Sequence, residues 1–385
     1  MEDAKSFFRV KKLKFLAFAD YVVCGLRQED FPLLGVCILT FNSELTIKYV
    51  LKFLLTQDYP AGRVFYLIVD GGSSDGTLEV INNTLKNYPD LNFEVLVAEG
   101  TNIPQARNVC LENMVKIGVD YVLFVDSDTV VAAPNALKTI TQLAVETKTL
   151  MHFPVTFRYF KGIEDLRTFI NEIQPKEITV TLKDLIPSLH IGMGFTIIPK
   201  ELASSQKFEE DLDIGEDFFY AFKALNKGYT PLIIRTPLNH IYDINLKGKH
   251  SDLYWKMPFR RYLKSMRKKT MVRLISWTKD GTLRLSYKKL TKEVIKHFLN
   301  TLLLTILFLL PVLVFVNIRL FIAALTVRLV SMLGYAIHKR LYGYGLLDGL
   351  KNRIKFELYS TLLILNLPVV YREFMRLLST RRSVR

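Results

Sequence analysis

The chain has 385 residues, half of them hydrophobic, with a formal charge of +15 and a mean hydropathy of +0.18. That length excludes one small domain. The basic residues stand beside long apolar segments, which puts membrane contact ahead of nucleic acid.

Residues 1–23 begin acidic and never form an uninterrupted apolar run with a small-residue cleavage site, so they do not read as a signal peptide. A basic helix that touches a bilayer or packs on the main domain fits them; the domain boundary is drawn after residue 30. The three cysteines, Cys24, Cys37 and Cys110, form no C-x-x-C pair. Buried free thiols in a reducing compartment are expected.

Residues 33–40 (LLGVCILT) have the pattern of a buried strand, and Asn42 and Ser43 can cap a helix over 44–55. A second strand over 64–70 runs into a Gly/Ser/Asp turn and a helix over 77–88. A third strand covers 92–98, with a helix over 104–117, and a fourth strand covers 121–125. This alternation predicts an α/β fold with a mostly parallel sheet, whose ligands bind beyond the carboxyl ends of the strands. Asn42, Asp70, Asp126 and Asp128 all lie just beyond such ends.

The fourth strand organises the rest. It breaks at Asp126-Ser127-Asp128, and two carboxylates two residues apart at a strand end can point to the same side. Unpaired, they would repel and raise each other's pKa. A divalent cation removes that repulsion, and hard oxygen ligands suit Mg2+ or Mn2+ with a substrate diphosphate. The other reading is an Asp-rich turn that caps or solvates. Further on, 150–160 and 178–186 are less regular, and Gly192-Met193-Gly194 precedes a strand at 195–198. Gly215 turns into a helix that opens on Glu216-Asp217 and closes at Lys227-Gly228, followed by a strand at 231–236 and Asn239-His240.

From Pro258 the character changes. Apolar residues at 3–4 spacing over 259–277 alternate with arginines and lysines, the pattern of a helix in a membrane interface, or of a basic helix packed on the preceding domain. Residues 297–316 form a first candidate span and 318–337 a second. Arg328 lies mid-span and needs a protein partner, a water pocket or an anionic lipid group. The apolar stretch 358–371 is short and contains Asn366 and Pro368, so it reads as re-entrant or interfacial. The flanking Lys and Arg place a two-span hairpin with the N-terminal domain, loop and tail on the cytoplasmic side. The expected domains are therefore 31–250, a basic interfacial region 251–290 and a multi-pass membrane domain 291–385.

The motifs ILTFN at 38–42, VDGGSSDGT at 69–77, ARN at 106–108, DSD at 126–128 and GED at 215–217 occur in the order and spacing of family 2 glycosyltransferases, which the region 33–245 resembles. The resemblance implies the GT-A fold and hexosyl transfer from a nucleotide-sugar with inversion at the anomeric carbon. It also implies roles for named residues. Thr40, Asn42 and Asp70 would line the nucleotide pocket, Asp70 accepting hydrogen bonds from the base. Asp75-Gly76-Thr77 would hold the next helix start, and Arg107 would sit near the diphosphate or form a surface salt bridge. Asp126 and Asp128 would bind sugar and metal–diphosphate, Asp128 the more directly. Asp217 would be the general base, and His240 would help hold metal or diphosphate or be structural. The Q-x-x-R-W motif of processive polysaccharide synthases is absent: residues 254–261 do not match it. The segment 103–108 departs from the dolichyl-phosphate mannose synthases. The expectation is a membrane-bound glycosyltransferase with a lipid-linked acceptor (polyprenyl phosphate, lipid-linked glycan or glycolipid). Its rivals are a processive synthase and a non-catalytic membrane protein that binds nucleotide-sugars.

Overall fold

Described in the computed structural model are residues 8–9, 31–212, 214–235, 238–246, 264–265, 275–277, 283–285, 287–316, 318–341 and 346–365. The interfacial helix expected over 259–277 and the Q-x-x-R-W comparison at 254–261 fall largely or wholly outside them. The chain divides into two compact units, Met1–Asn245 and Leu246–Arg385.

The first unit is built on one mixed sheet. A two-residue strand β1 (Phe8–Arg9) lies at its edge, followed in sequence by β2 (Leu34–Thr40), β3 (Val64–Asp70), β4 (Asn92–Val97) and β5 (Tyr121–Asp126). Helices α1 (Glu44–Leu54), α2 (Thr77–Leu85) and α3 (Ile103–Ile117) connect β2 through β5, so these four strands run parallel in the order β4-β3-β2-β5. All seven residues of β3 are buried, as a strand covered on both faces requires. The register pairs Thr40 with Asp70 and Leu39 with Asp126, which brings three strand ends to one edge. The first four strands and three helices follow the sequence expectation to within a few residues.

Beyond β5 the sheet is mixed, with antiparallel pairs and, among the described residues, one parallel pair, Met151–His152 with Leu232–Ile234. A short strand β6 (Thr129–Val131) and helix α4 (Ala136–Thr147) follow β5. Next come β7 (Met151–His152), β8 (Val155–Phe160), α5 (Ile163–Glu172), β9 (Leu185–Pro187) and β10 (Phe195–Pro199). The unit closes with α6 (Lys200–Ser205), α7 (Glu216–Asn226), β11 (Leu232–Ile234) and β12 (Leu238–Leu246). Among the described residues the main sheet has the order β1-β4-β3-β2-β5-β10-β7-β11-β9, and β6-β12-β8 form a small second sheet. β10 runs antiparallel to β5 and places Gly194 directly beyond Phe195↔Val125, beside Asp126, whose N–H donates to the Gly194 carbonyl at 3.0 Å.

One apolar core packs a single face of the sheet against α3 and α7 through Cys37, Leu67, Phe124, Met114 and Tyr220. Cys37 and Cys110 are free and buried, and burial together with each other's proximity pushes the Cys37 thiol up. The second unit contains a strand pair, β13 (Ile275–Trp277) and β14 (Leu283–Leu285), and three helices: α8 (Tyr287–Val316), α9 (Ile318–Leu341) and α10 (Leu346–Leu365). Helix α10 starts earlier than the apolar stretch 358–371 and carries charged residues through its first half.

Candidate active site

The site grows from the strand ends. At the end of β3 the Asp70 carboxylate is fully buried. Its Oδ1 accepts the backbone N–H of Gly72 (3.0 Å) and Ser73 (2.7 Å), and its Oδ2 accepts the hydroxyls of Thr40 (2.8 Å) and Ser73 (2.6 Å). Both oxygens are engaged by Thr40 and the following loop, so Asp70 organises this wall of the pocket. A buried carboxylate demands such donors. Asn42 sits in the left-handed region at φ 48° and does not cap α1. Its Oδ1 accepts the Ser74 N–H at 2.9 Å, and its N–H donates to Ser73 Oγ at 2.8 Å. Thr40 and Asn42 thus lock the β2 loop to the β3 loop. Asp75 accepts from Thr77 and Glu44, as expected of a helix-start residue. Phe41, 61% exposed between Thr40 and Asn42, lies over the Gly71 backbone.

A further contact ties this pocket to the aspartates of β5. The hydroxyls of Ser43 and Ser127 are 2.8 Å apart, which fixes the Asp126-Ser127-Asp128 turn against the start of α1. Nothing in the D-x-D spacing foretold the Ser43 partner. On the other side of the turn Gly194 approaches closely: a Cβ there would stand 2.8 Å from Asp126 Oδ2 and 3.6 Å from Thr129 Oγ1. Only a residue without a side chain leaves the carboxylate its place.

Arg107 joins Asp126 at the end of β5 to α7. Asn102 opens α3 with a capping box: its side chain accepts from Gln105 N, and the Gln105 side chain accepts from Asn102 N. Asn108 grips the backbone of Phe208 in both directions, at 2.8 and 3.0 Å. These contacts hold the segment before α7 against α3. Arg107, 5% exposed, then places Nη1 2.5 Å from Glu216 Oε1 and Nη2 3.9 Å from Asp126 Oδ1, with its guanidinium 5.5 Å from the Phe208 ring centre. Burial works against the charge, but Glu216, then Asp126 and Asp217, hold the Arg107 pKa above its ordinary value. The surface salt bridge of the sequence reading is a buried one. Glu216, also buried, is its partner, and Asp217 at the next position is half-buried with Oδ1 accepting the Phe218 N–H at 2.7 Å. Gly215, at φ 76°, makes the left-handed turn that sets the two carboxylates at the head of α7. Of the pair, Glu216 is turned inward and committed to structure.

His240 is not gathered with the aspartates. The β6–β12 ladder sets His240 against Ala132 and Ile244 against Asp128. Four residues of strand separate the two positions, about 13 Å of backbone. The imidazole stands edge-on to Tyr242 instead, at 6.5 Å between ring centres, from a backbone at φ 70°. Among the described residues no three His, Cys, Asp or Glu side chains form a ready metal cage. The aspartate pair suits a cation whose remaining ligands come from diphosphate and water, as for Mg2+ or Mn2+.

Residues 35–202 match the model of the family described as Glycosyl transferase family 2. The chain therefore carries a family 2 glycosyltransferase domain, which agrees with the resemblance of its motifs. Over 229 residues it is 32% identical to poly(ribitol-phosphate) β-N-acetylglucosaminyltransferase TarS of Staphylococcus aureus, across 58% of this chain and 38% of that protein. The poly(ribitol-phosphate) β-glucosyltransferase of Bacillus spizizenii is 23% identical over 240 residues, 60% of this chain and 35% of that one. The chain thus spans little more than a third of the length of these relatives. The structure of S. aureus TarS 1–349 in complex with UDP-GlcNAc superimposes with a TM-score of 0.46 at 20% identity, covering 85% of this chain and 91% of that one.

Proposed function

We propose that this protein is a membrane-bound inverting glycosyltransferase that moves a sugar from a nucleotide-sugar to a lipid-linked acceptor. The observation that carries the reading is the buried Glu216–Arg107 pair reaching the partly exposed Asp126, which joins the two carboxylate motifs of a family 2 domain into one site. In this reading the Thr40–Asp70–Ser73 network shapes the nucleotide pocket, and Phe41 offers an exposed ring face to the base. Arg107 supplies fixed positive charge beside the diphosphate position. A divalent cation, when bound, offsets the charge that develops on the leaving diphosphate; Asp128 and Asp126 are the residues that would hold it. Asp217, at the head of α7, takes the proton from an acceptor hydroxyl as that oxygen attacks the anomeric carbon.

Support for the membrane part is one helix segment, Ile318–Ile337, with a mean hydropathy of 1.9 and only 11% of it buried. A second acceptor class, a poly(ribitol phosphate), is favoured by the two relatives that bear that substrate in their names and by a net charge of +15 suited to a polyanion. The test is to incubate the full chain with a panel of nucleotide-sugars, offering a total lipid extract or poly(ribitol phosphate), and to identify products by mass spectrometry. A glycosylated lipid supports the first acceptor class and a glycosylated polymer the second. Nucleotide-sugar binding without turnover on any acceptor would leave a binding protein.

A further inference from the structure

The second unit distributes its residues in reverse of a water-soluble bundle. It buries an ion pair between helices. Arg328 of α9 and Glu357 of α10 are 1% and 0% exposed, with Arg328 Nη1 2.6 Å from Glu357 Oε1. Arg353, one turn before Glu357 on α10, adds its Nε at 2.8 Å to the same oxygen. A second polar contact joins α8 to α10, where His297 Nδ1 and Ser360 Oγ lie 2.8 Å apart, both buried. Its apolar residues are outside: Ile318, Ile322, Leu329, Val330, Leu333 and Ile337 of α9 are each at least 50% exposed. Water would drive such a surface together, whereas hydrocarbon is indifferent to it and instead penalises a lone charge.

We infer that α8, α9 and α10 enter the bilayer as one unit, whose apolar exterior meets lipid tails and in which Glu357 is the counter-charge that makes Arg328 tolerable in α9. The inference rests on the membrane-bound reading above and adds its partner and its permissive residue. Helix α10 cannot be an independent span, because Asp348, Lys351, Arg353, Lys355 and Glu357 all fall within its first twelve residues. It enters against its neighbours, bringing the acid that α9 lacks. Arg328 stands near the middle of the Ile318–Ile337 segment, where a charge is most expensive. The pair belongs to the membrane-facing unit and to no part of the candidate active site.

The full chain is expressed in membranes and extracted with alkaline carbonate. Wild type is expected to stay in the pellet. Glu357→Gln keeps the shape but strands two arginines, and its retained fraction should fall about tenfold. The double variant R328M/E357Q removes the uncompensated central charge and should restore retention. Wild type released by alkali overturns the membrane reading itself. Retention of Glu357→Gln at the wild-type level overturns the counter-charge role while leaving the anchor standing. Loss in Glu357→Gln with no recovery in the double variant also overturns it, since the defect then lies in helix folding and not in charge.

Discussion

At the scale of single residues the structure separates two adjacent carboxylates. Glu216 is consumed by Arg107, whereas Asp217 stays half-buried at the helix head. Asp217→Asn is therefore expected to lower turnover about 10²- to 10⁴-fold on a hydroxyl acceptor with little change in stability, measured as initial rate and thermal midpoint. On a phosphate acceptor, whose second pKa is about 6, the loss should be smaller. Glu216→Gln should act the other way, leaving a buried cation short of a partner and destabilising the fold by about 3 kcal/mol, read by urea unfolding. Equal kinetic defects without loss of stability in Glu216→Gln would reverse the two assignments. Gly194→Ala forces a methyl to 2.8 Å from Asp126 Oδ2, so the carboxylate must move. Nucleotide-sugar affinity measured by calorimetry should drop on the order of tenfold, while the thermal midpoint shifts by only a few degrees. Asp128→Asn should suppress turnover by orders of magnitude with the circular dichroism spectrum unchanged, and full activity in the variant would remove Asp128 from metal binding.

Among the elements, α3 shows how local signals place chemistry. Pro104 follows the cap and Gly118 ends the helix in the left-handed conformation at φ 87°. The Asn102–Gln105 capping box satisfies the first orphan donors, and the Asn102 side chain also reaches the Glu210 carbonyl at 2.7 Å. Asn102→Ala is expected to cost about 1 kcal/mol, visible as a lowered denaturation midpoint, and to loosen the segment that carries Phe208 toward Arg107. Helices α1 to α3 were legible because an apolar face repeats along each between clear turn residues. Helix α4 was not: its buried Leu137, Ile140, Leu143 and Ala144 are spaced helically, but threonines and β-branched residues dilute the signal. Strand β12 escaped notice because His240 enters it at positive φ and breaks the alternation.

For the molecule as a whole, acid stability rests in part on His152. It sits between the β10 strand and the Gly192 turn, with Nδ1 2.9 Å from Thr196 Oγ1, and burial lowers its pKa to about 4. The unfolded chain, with a histidine pKa of about 6.5, binds the extra proton between those values. Stability from the neutral imidazole is therefore complete above pH 6.5 and is lost as pH falls toward 4, by about 3 kcal/mol in total. Urea midpoints measured across that window should decline in the wild type, and His152→Gln should flatten the decline. An unchanged slope in the variant would assign acid sensitivity elsewhere.

By itself the sequence determined the parallel strand block, the order of the motifs and the residue types that gather at the strand ends. Those depend on apolar periodicity and turn chemistry, which are local and readable along the chain. Tertiary structure alone decided which partner each polar group takes. It gave Asp70 to its own loop, Glu216 to Arg107, Ser43 to Ser127 and Glu357 to Arg328. All but the first join residues far apart in sequence, and a buried charge fixes its partner only when the surrounding packing removes water as the alternative.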